Sequence, residues 1–187
     1  MRILIACEFS GVVRDAFIKK GHDVTSCDLL PTEQSGPHYQ GDVFDIINDD
    51  WDLMIFHAPC TYLCNSGVRW LYTQQGRRDL MKQAARFFKM LLEADIDKIC
   101  GENPIMHKYA VEIIGRRQDQ LIQPWQHGHG ETKATCLWLK NLTLLEPTNV
   151  VDGREARIHK MAPSKDRGKL RSVTYQGIAD AMATQWG

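Results

Sequence analysis

The chain has 187 residues, and its 23 lysines and arginines balance 23 aspartates and glutamates. A chain of this length is expected to form one compact domain, residues 1–187, and its zero net charge excludes attraction to a polyanion through overall charge. Six cysteines without a preceding secretion signal favour a reducing, cytoplasmic location with free thiols. No apolar run is long enough to span a bilayer, so no membrane partner is expected.

Short apolar runs alternate with longer segments of helical periodicity, which is typical of an α/β protein with a mostly parallel sheet. A strand at residues 2–7, a helix at 11–20 and a strand at 23–27 form the first unit. A polar loop over 29–41 leads to the short stretch 41–46, and Asp42 is expected to end a third strand. The later predictions are strands at 52–57 and 96–101, helices at 78–94 and 106–116, a strand pair at 121–124 and 135–139, and a closing helix at 178–186.

The turn after the first strand, Glu8 to Gly11, lies where parallel α/β sheets bind nucleotide-like cofactors. It lacks a Gly-x-Gly-x-x-Gly pattern, so alone it is a weak signal. Asp28 ends the second strand, where a carboxylate can accept hydrogen bonds from ribose hydroxyls, and Asp42 is placed in the same way. Aspartates also cap ordinary turns, but their joint placement favours a cofactor site.

A cysteine and a Glu-Asn pair follow two of the predicted strands. Cys60 comes directly after Pro59, beyond the strand that ends at His57, and Glu102 and Asn103 follow the next strand. A thiolate can attack a substrate, while a carboxylate and an amide can hold and protonate a polar ring. The combination suggests covalent catalysis on a heterocycle.

Taken in order along most of the chain, these residues resemble motifs of the S-adenosylmethionine-dependent DNA cytosine carbon-5 methyltransferases. Pro59-Cys60 is similar to the family's nucleophile motif, and Glu102-Asn103-Pro104 is similar to its Glu-Asn-Val motif. Residues 66–69 and 76–80 resemble the loop that closes over the target base and the helix after it. Residues 172–178 resemble the C-terminal motif beside the cofactor. The resemblance implies a Rossmann-like class I methyltransferase fold, a mostly parallel twisted sheet with helices on both faces.

The resemblance also implies a reaction, methyl transfer from S-adenosylmethionine to carbon-5 of cytosine in DNA. Cys60 would add to ring carbon-6, Glu102 would hydrogen-bond or protonate ring N3, and Asn103 would position the loop of Pro59 and Cys60. Arg69 and Lys133 are candidates for the cation that activates the thiol. The implied cofactor-binding residues are Glu8, Phe9, Ser10, Gly11, Asp28, Leu29, Asp42, Val43 and Thr174, and the implied substrate-binding residues are Ser66, Arg69 and Trp70.

The chain departs from the family pattern in three places. The Glu8–Gly11 turn has fewer glycines than the family's Phe-x-Gly-x-Gly-Gly turn, although Arg14 follows it as expected. The Gln-x-Arg-x-Arg segment corresponds to residues 131–135, where Lys133 is the only cation, and lysine cannot reproduce a two-pronged arginine contact. Residues 140–171 are too short for the family's separate target-recognition domain. The target would then be a short site read together with a partner chain, a single-stranded nucleic acid or a free nucleotide.

The segment 140–171 is rich in basic side chains, and such a strip can neutralise phosphates or simply be solvated. Trp70 and Tyr72 can stack on a displaced base or act as packing anchors. Cys64 with His127 or His129 lacks the usual spacing of zinc ligands, so no metal is expected. The basic residues of the segment are Arg154, Arg157, Lys160, Lys165, Arg167, Lys169 and Arg171. Four other cysteines are expected to be structural: Cys7, Cys27, Cys100 and Cys136.

Three alternatives remain open from the sequence. The same chemistry could act on a nucleotide, RNA or single-stranded substrate, or could transfer another group. A catalytically inactive nucleic-acid-binding relative would explain the missing glycines and arginines. A cysteine hydrolase is disfavoured, because no histidine is clearly placed as its base.

Overall fold

A computed structural model describes residues 1–187, and its centre is a seven-stranded sheet. The strands are β1 Arg2–Ala6, β2 Asp23–Asp28, β3 His38–Gln40, β4 Leu53–Phe56, β5 Lys98–Pro104, β6 Gln120–Ile122 and β7 Thr135–Lys140. They lie in the order β3-β2-β1-β4-β5-β7-β6. The first five pair in parallel, whereas β7 runs antiparallel to both β5 and β6.

The helices differ widely in length, and the two longest pack on the sheet. They are α1 Val12–Ile18, α2 Trp70–Thr73, α3 Arg77–Leu92, α4 Lys108–Ile114, α5 Arg157–Lys160, α6 Arg167–Ser172 and α7 Gln176–Gln185. Short 3-10 turns cover Val43–Asp45, Cys60–Tyr62, Asn65–Gly67 and Pro124–Gln126. No helix has both the length and the apolar character needed to cross a bilayer.

The two faces of the sheet are covered by different helices, because side chains alternate along each strand. Ile3 and Ile5 of β1 belong to an apolar cluster that includes Phe17 of α1 and Met182 of α7. Leu4 belongs to a second cluster, which includes residues of α3 and α4. Both faces are therefore buried, as a parallel sheet requires. This arrangement confirms the α/β fold with a mostly parallel sheet and helices on both faces.

An aromatic row packs against the centre of the sheet. The ring of Phe56 on β4 meets Phe88 of α3 edge to face with centroids 4.9 Å apart, and Phe88 meets Trp138 of β7 at 5.0 Å. Gly101, which pairs with Phe56, leaves the room this ring needs, since a Cβ there would come within 2.5 Å of Phe56 Cζ. A glycine is thus required at this point of β5 by packing.

Strand β7 reverses the chain direction at the edge of the parallel part. Thr135, its first residue, pairs with Pro104, the last residue of β5. The segment before β7 therefore lies at the same edge as the carboxyl ends of β1, β4 and β5. Lys133, two residues before β7, lies at that edge.

Some sequence expectations differ from the structure. The third strand is His38–Gln40, inside the predicted loop, while residues 41–46 contain a 3-10 turn that Asp42 caps through a hydrogen bond from Phe44 N at 3.0 Å. The polar sequence of β3 gives no strand pattern, and β3 is an edge strand that pairs only with β2. The segment 140–171 contains α5 and α6 in addition to loops. The remaining strands and long helices lie within a few residues of their predicted bounds.

Candidate active site

A cleft opens at the carboxyl ends of β1, β4 and β5, and its empty volume, including the mouth, is about 590 Å³. Sheets of this kind bind ligands at this edge. The chain thereby brings together residues that are far apart in sequence. The cleft is lined by Cys7, Glu8, Phe9, Ser10, His57, Ala58, Pro59, Cys60, Glu102, Asn103, Pro104, Lys133, Arg171, Ser172, Val173 and Thr174.

Cys60 is exposed at the cleft and begins the 3-10 turn that follows Pro59. Interaction with the thiol of Cys64, one turn further on, is the largest cause that lowers the pKa of Cys60 to about 7. Burial and the Glu102 carboxylate oppose this shift, and the Lys133 cation assists it. A substantial fraction of Cys60 is therefore thiolate at neutral pH, the reactive form of cysteine.

The segment that carries Cys60 is fastened to the chain around the end of β5. Asn103, which is 1% exposed, donates a hydrogen bond from Nδ2 to the carbonyl of Ala58 at 3.0 Å. Further along, Asn65 N donates to the carbonyl of Ile105 at 2.9 Å. Because the same stretch of chain carries Glu102, these bonds fix the thiol relative to the carboxylate.

Glu102 is held by a histidine that the sequence analysis did not select. His57 Nδ1 lies 2.9 Å from Glu102 Oε2, and both side chains are about nine-tenths buried. Burial acts to raise the pKa of Glu102, but the hydrogen bond from His57 and the charges of His57 and Lys133 outweigh it, and the pKa falls below its ordinary value. Glu102 is therefore ionised near neutrality.

Lys133 is the cation of the cleft that acts on both of these groups. Burial lowers its pKa, while the charges of Glu102 and Cys60 act in the opposite direction. Its Nζ donates to the carbonyl of Val173 at 3.1 Å and lies 5.7 Å from the centroid of the Tyr175 ring. Arg69, the other predicted activator, is exposed and stacks on Trp70 at 4.3 Å, away from the cleft-lining residues.

The turn after β1 is organised around the carboxylate of Glu8. Its Oε1 accepts from Val13 N at 2.8 Å and its Oε2 accepts from Arg14 N at 3.3 Å, so the carboxylate caps the amino end of α1. Ser10 Oγ donates to the same side chain at 3.1 Å. In dinucleotide-binding sheets this helix end receives a phosphate. Here the protein's own negative charge fills the position.

The predicted ribose and adenine positions lie beside this turn. Burial raises the pKa of Cys7 to about 12, with further contributions from Asp28 and Asp42, so both carboxylates lie near the cleft-lining Cys7. Leu29 is 73% exposed and free to contact a ligand. The side chain of Val43 is buried in the core, which leaves only its backbone for a cofactor. Gly11, at φ +76°, forms the turn into α1 without lining the cleft.

Residues 156–174, here called the strap, cross the cleft. Lys169 of α6 forms an ion pair with Glu33 and lies 5.8 Å from the Phe9 ring centroid. At the other end, Arg157 Nε donates to Glu131 Oε2 at 3.0 Å. Helix α6 buries none of its side chains; Lys169 fastens it to Glu33, and Lys133 binds the carbonyl of Val173 directly after it. Thr174 and Arg171 of the strap line the cleft.

The predicted substrate-binding residues lie elsewhere. Ser66 belongs to an exposed 3-10 turn, and Arg69 and Trp70 begin the following helix, without lining the cleft. Their predicted contact with a base remains a prediction. No three metal-ligating side chains come together, and His127 instead contacts Thr148, with Nδ1 and Oγ1 3.1 Å apart.

His57 is the main residue that sequence reasoning missed. A histidine at a strand end commonly packs in the interior, and nothing in its spacing separates it from that case. The available signal was its position at the carboxyl end of the strand that leads to Cys60, since ligands of parallel α/β sheets bind at that edge. Cys7, interpreted from sequence as structural, also lines the cleft, with φ +56° in the left-handed region.

No protein-family model and no curated protein sequence matches the chain. Solved structures do. A candidate DNA modification methyltransferase encoded within an E. coli prophage superposes with a TM-score of 0.51 at 15% identity, over 81% of this chain and 52% of that one. The Entamoeba histolytica methyltransferase EhMeth gives 0.52 at 12% identity, over 88% and 60%. A Spodoptera frugiperda DNMT2 mutant gives 0.43 at 16% identity, over 82% and 54%.

The chain thus spans between half and three fifths of the length of these proteins. The first two superpositions confirm the Rossmann-like methyltransferase fold expected from the sequence. At these identities the likeness concerns the fold alone.

Proposed function

We propose that the chain is an S-adenosylmethionine-dependent methyltransferase that acts on carbon-5 of cytosine in nucleic acid, with DNA as the principal candidate. The observation that carries the proposal is the shared cleft of Cys60 and Glu102. The thiol has a pKa of about 7, and the carboxylate lies at the end of the neighbouring strand β5. A thiolate opposite a carboxylate is what addition to a pyrimidine ring requires.

The chain's residues supply the addition step. The Cys60 sulfur forms a bond to ring carbon-6, and the electrons of the 5,6 double bond move toward carbon-5. Glu102 stabilises the charge that develops at the ring through a hydrogen bond at N3. Asn103 holds the Cys60 segment in place through Ala58. Once carbon-5 carries the methyl group, its proton passes to water, and the released electron pair reforms the 5,6 double bond and expels the Cys60 thiolate.

The cleft suits a cofactor that brings no phosphate to α1. Glu8 fills the amino end of that helix, so a dinucleotide pyrophosphate would meet a carboxylate. S-adenosylmethionine would instead be held by the Glu8–Gly11 turn, Asp28, Asp42 and Leu29, with Phe9, Ser10, Val43 and Thr174 beside them. When bound, it supplies the methyl group from its sulfonium.

The strap bears on the kind of substrate. It occupies residues 156–174, where larger methyltransferases have a target-recognition region, and it carries Arg171 into the cleft. Its other basic side chains, among them Lys160 and Lys165, are exposed and can neutralise phosphates. This arrangement favours a single-stranded site, or duplex DNA presented by a partner chain. A free cytidine nucleotide is the second candidate, with its phosphate near Arg171.

Three experiments test the proposal. Calorimetry with S-adenosylmethionine should detect binding, and its absence would favour an inactive nucleic-acid-binding relative. An oligonucleotide with 5-fluorocytosine should form a denaturation-resistant adduct with the wild-type protein in the presence of the cofactor. The adduct should be absent in Cys60→Ser. Methyl label that appears on free dCMP but not on any polymer would overturn the DNA assignment.

A further inference from the structure

His57 forms with Glu102 a pair that the addition step proposed above does not use. Its Nδ1 lies 2.9 Å from Glu102 Oε2, and because a carboxylate can only accept, the imidazole is the donor. The His57 side chain is 10% exposed, and its Nε2 is buried without any hydrogen-bond partner. A buried polar atom without a partner is uncommon in folded proteins, so this nitrogen calls for an explanation.

The pair answers a difficulty in the proposed chemistry. Glu102 has to give ring N3 a proton or a strong hydrogen bond while Cys60 adds, yet its environment favours the carboxylate. A carboxylate without a proton can only accept. Histidine, whose charge changes within the physiological pH range, is suited to hold that proton. His57 is in direct contact with the carboxylate that needs it.

We propose that His57 and Glu102 share one proton and act as a single acid toward ring N3, an inference that rests on the proposed cytosine chemistry. In the resting pair His57 is the imidazolium, its Nδ1–H is donated to Glu102, and the carboxylate is ionised. As the Cys60 sulfur bonds to carbon-6, the proton moves to Glu102 and from there to N3, which leaves neutral His57. Elimination of Cys60 returns the proton by the same route, so the step is balanced over one turnover.

The charged and titratable groups around the pair come from each element that forms the cleft. Lys133, upstream of β7, acts on Glu102 and Cys60. The β1 turn contributes Cys7 and Glu8, and the strap contributes Arg171. Glu102 is the only one of these groups hydrogen-bonded to His57. The shared proton therefore belongs to this pair.

The reaction test does not need the cofactor. Addition of Cys60 to carbon-6 allows carbon-5 to exchange its hydrogen with water, so tritium release from a single-stranded oligonucleotide with [5-³H]deoxycytidine reports the addition step alone. His57→Asn keeps an N–H donor near the Nδ1 position but cannot carry the proton. We expect release to fall by about 100-fold or more at pH 7.5, the usual contribution of a general acid. His22→Asn, at the opposite edge of the sheet, should match the wild type.

The pH profile separates proton sharing from simple support of Glu102. In the pH profile of tritium release, the rate should rise as Cys60 becomes a thiolate and fall at higher pH as the His57–Glu102 pair loses its proton. In His57→Asn the descending limb should move to lower pH, while oligonucleotide binding stays unchanged. Release within threefold of wild type at every pH would overturn the proposal. So would a lower rate with an unmoved descending limb, since His57 would then only hold Glu102 in place.

A second measurement uses the wild-type protein without substrate. Carbon-13 NMR of the Glu102 carboxyl and nitrogen-15 NMR of His57 should show the two groups titrating together, because strongly interacting sites release protons as a pair. Independent titrations would overturn the proposal even if His57→Asn failed to fold. If the two groups titrate together but the protein releases no tritium, the proposed cytosine chemistry is wrong, whereas the sharing of a proton by His57 and Glu102 is supported.

Discussion

Lys133 Nζ donates a hydrogen bond to the carbonyl of Val173 at 3.1 Å, so the cation that faces Cys60 and Glu102 also fastens the strap. A single side chain thereby connects Cys60 and Glu102 to the strap. Its charge also helps to lower the pKa of Cys60.

Replacement of that cation should affect both functions. In Lys133→Met, the pKa of Cys60 should rise, and alkylation of Cys60 by iodoacetamide at pH 7 should slow by about two- to fivefold as the thiolate fraction falls. Hydrogen exchange of the strap should become faster. Lys165→Met, an exposed charge on the strap, serves as the control. Equal alkylation rates in the wild type and Lys133→Met would show that the cation does not act on the thiol.

Cys64 should have a larger effect on the nucleophile. It is the first cause of the lowered pKa of Cys60, so Cys64→Ala should move the midpoint of the alkylation rate from about 7 toward the ordinary value of 9.0. At pH 7 the rate should drop roughly tenfold or more, because the thiolate is the reacting form. Cys64→Ser keeps a hydroxyl donor and should give a smaller shift. The idea is wrong if alanine leaves the midpoint in place.

Asn103 should matter for stability apart from chemistry. Asn103→Ala removes the donor to the buried carbonyl of Ala58, and an unsatisfied buried acceptor costs about 1–3 kcal/mol. Urea unfolding followed by circular dichroism should report this loss. The exposed Asn48→Ala should change the free energy of unfolding by less than about 0.5 kcal/mol. A similar value for both variants would mean that the Ala58 contact does not stabilise the fold.

Gly101 should resist even the smallest enlargement. A Cβ in Gly101→Ala would lie 2.5 Å from Phe56 Cζ, within the aromatic row, and overpacking of this kind costs roughly 1–3 kcal/mol. The melting temperature should fall. Gly168→Ala in α6 has open space around its Cβ and should leave the melting temperature unchanged or slightly higher. Equal melting temperatures for the two variants would show that the Phe56 ring can move aside without loss of stability.

Glu102 should give the fold a specific acid sensitivity. Its pKa is lowered in the folded protein, so the ionised form contributes stability that is complete above its ordinary pKa of 4.5 and is lost as pH falls through the lower folded pKa. Glu102→Gln cannot titrate and should lack this loss. Urea unfolding between pH 7 and pH 3 compares the two. Glu112→Gln, an exposed control, should follow the wild type; parallel curves for Glu102→Gln would refute the linkage.

The sequence was informative where chemistry coincides with strand ends. Pro59-Cys60 and Glu102-Asn103 each follow a run of buried residues, and parallel pairing of β4 with β5 brings them to one cleft. Lys133 could be selected as the remaining cation of its segment. The pairing of His57 with Glu102 could not, because it depends on the side-chain directions of two separate strands.

Elements held by distant contacts were the hardest to predict. Strand β3 consists of polar residues and exists through its pairing with β2 alone. The order of the strap depends on Lys169 with Glu33 and on Arg157 with Glu131, contacts that cross more than twenty positions of the chain. Such pairs cannot be predicted from the local composition of the sequence. Ser66 and Trp70 illustrate the opposite case, since proximity to Cys60 in sequence did not place them at the cleft.

Because β7 runs antiparallel to β5, residues inserted at its two ends would emerge at opposite edges of the sheet. Extra residues inserted before Thr135 would emerge beside the edge of the sheet that carries the cleft, where Lys133 lies. Residues joined just after Lys140 would emerge at the far rim of the sheet, against the start of β5 where Ile99 pairs with Lys140. A domain inserted before Thr135 would therefore lie beside the cleft, whereas a domain inserted just after Lys140 would lie at the opposite edge of the sheet.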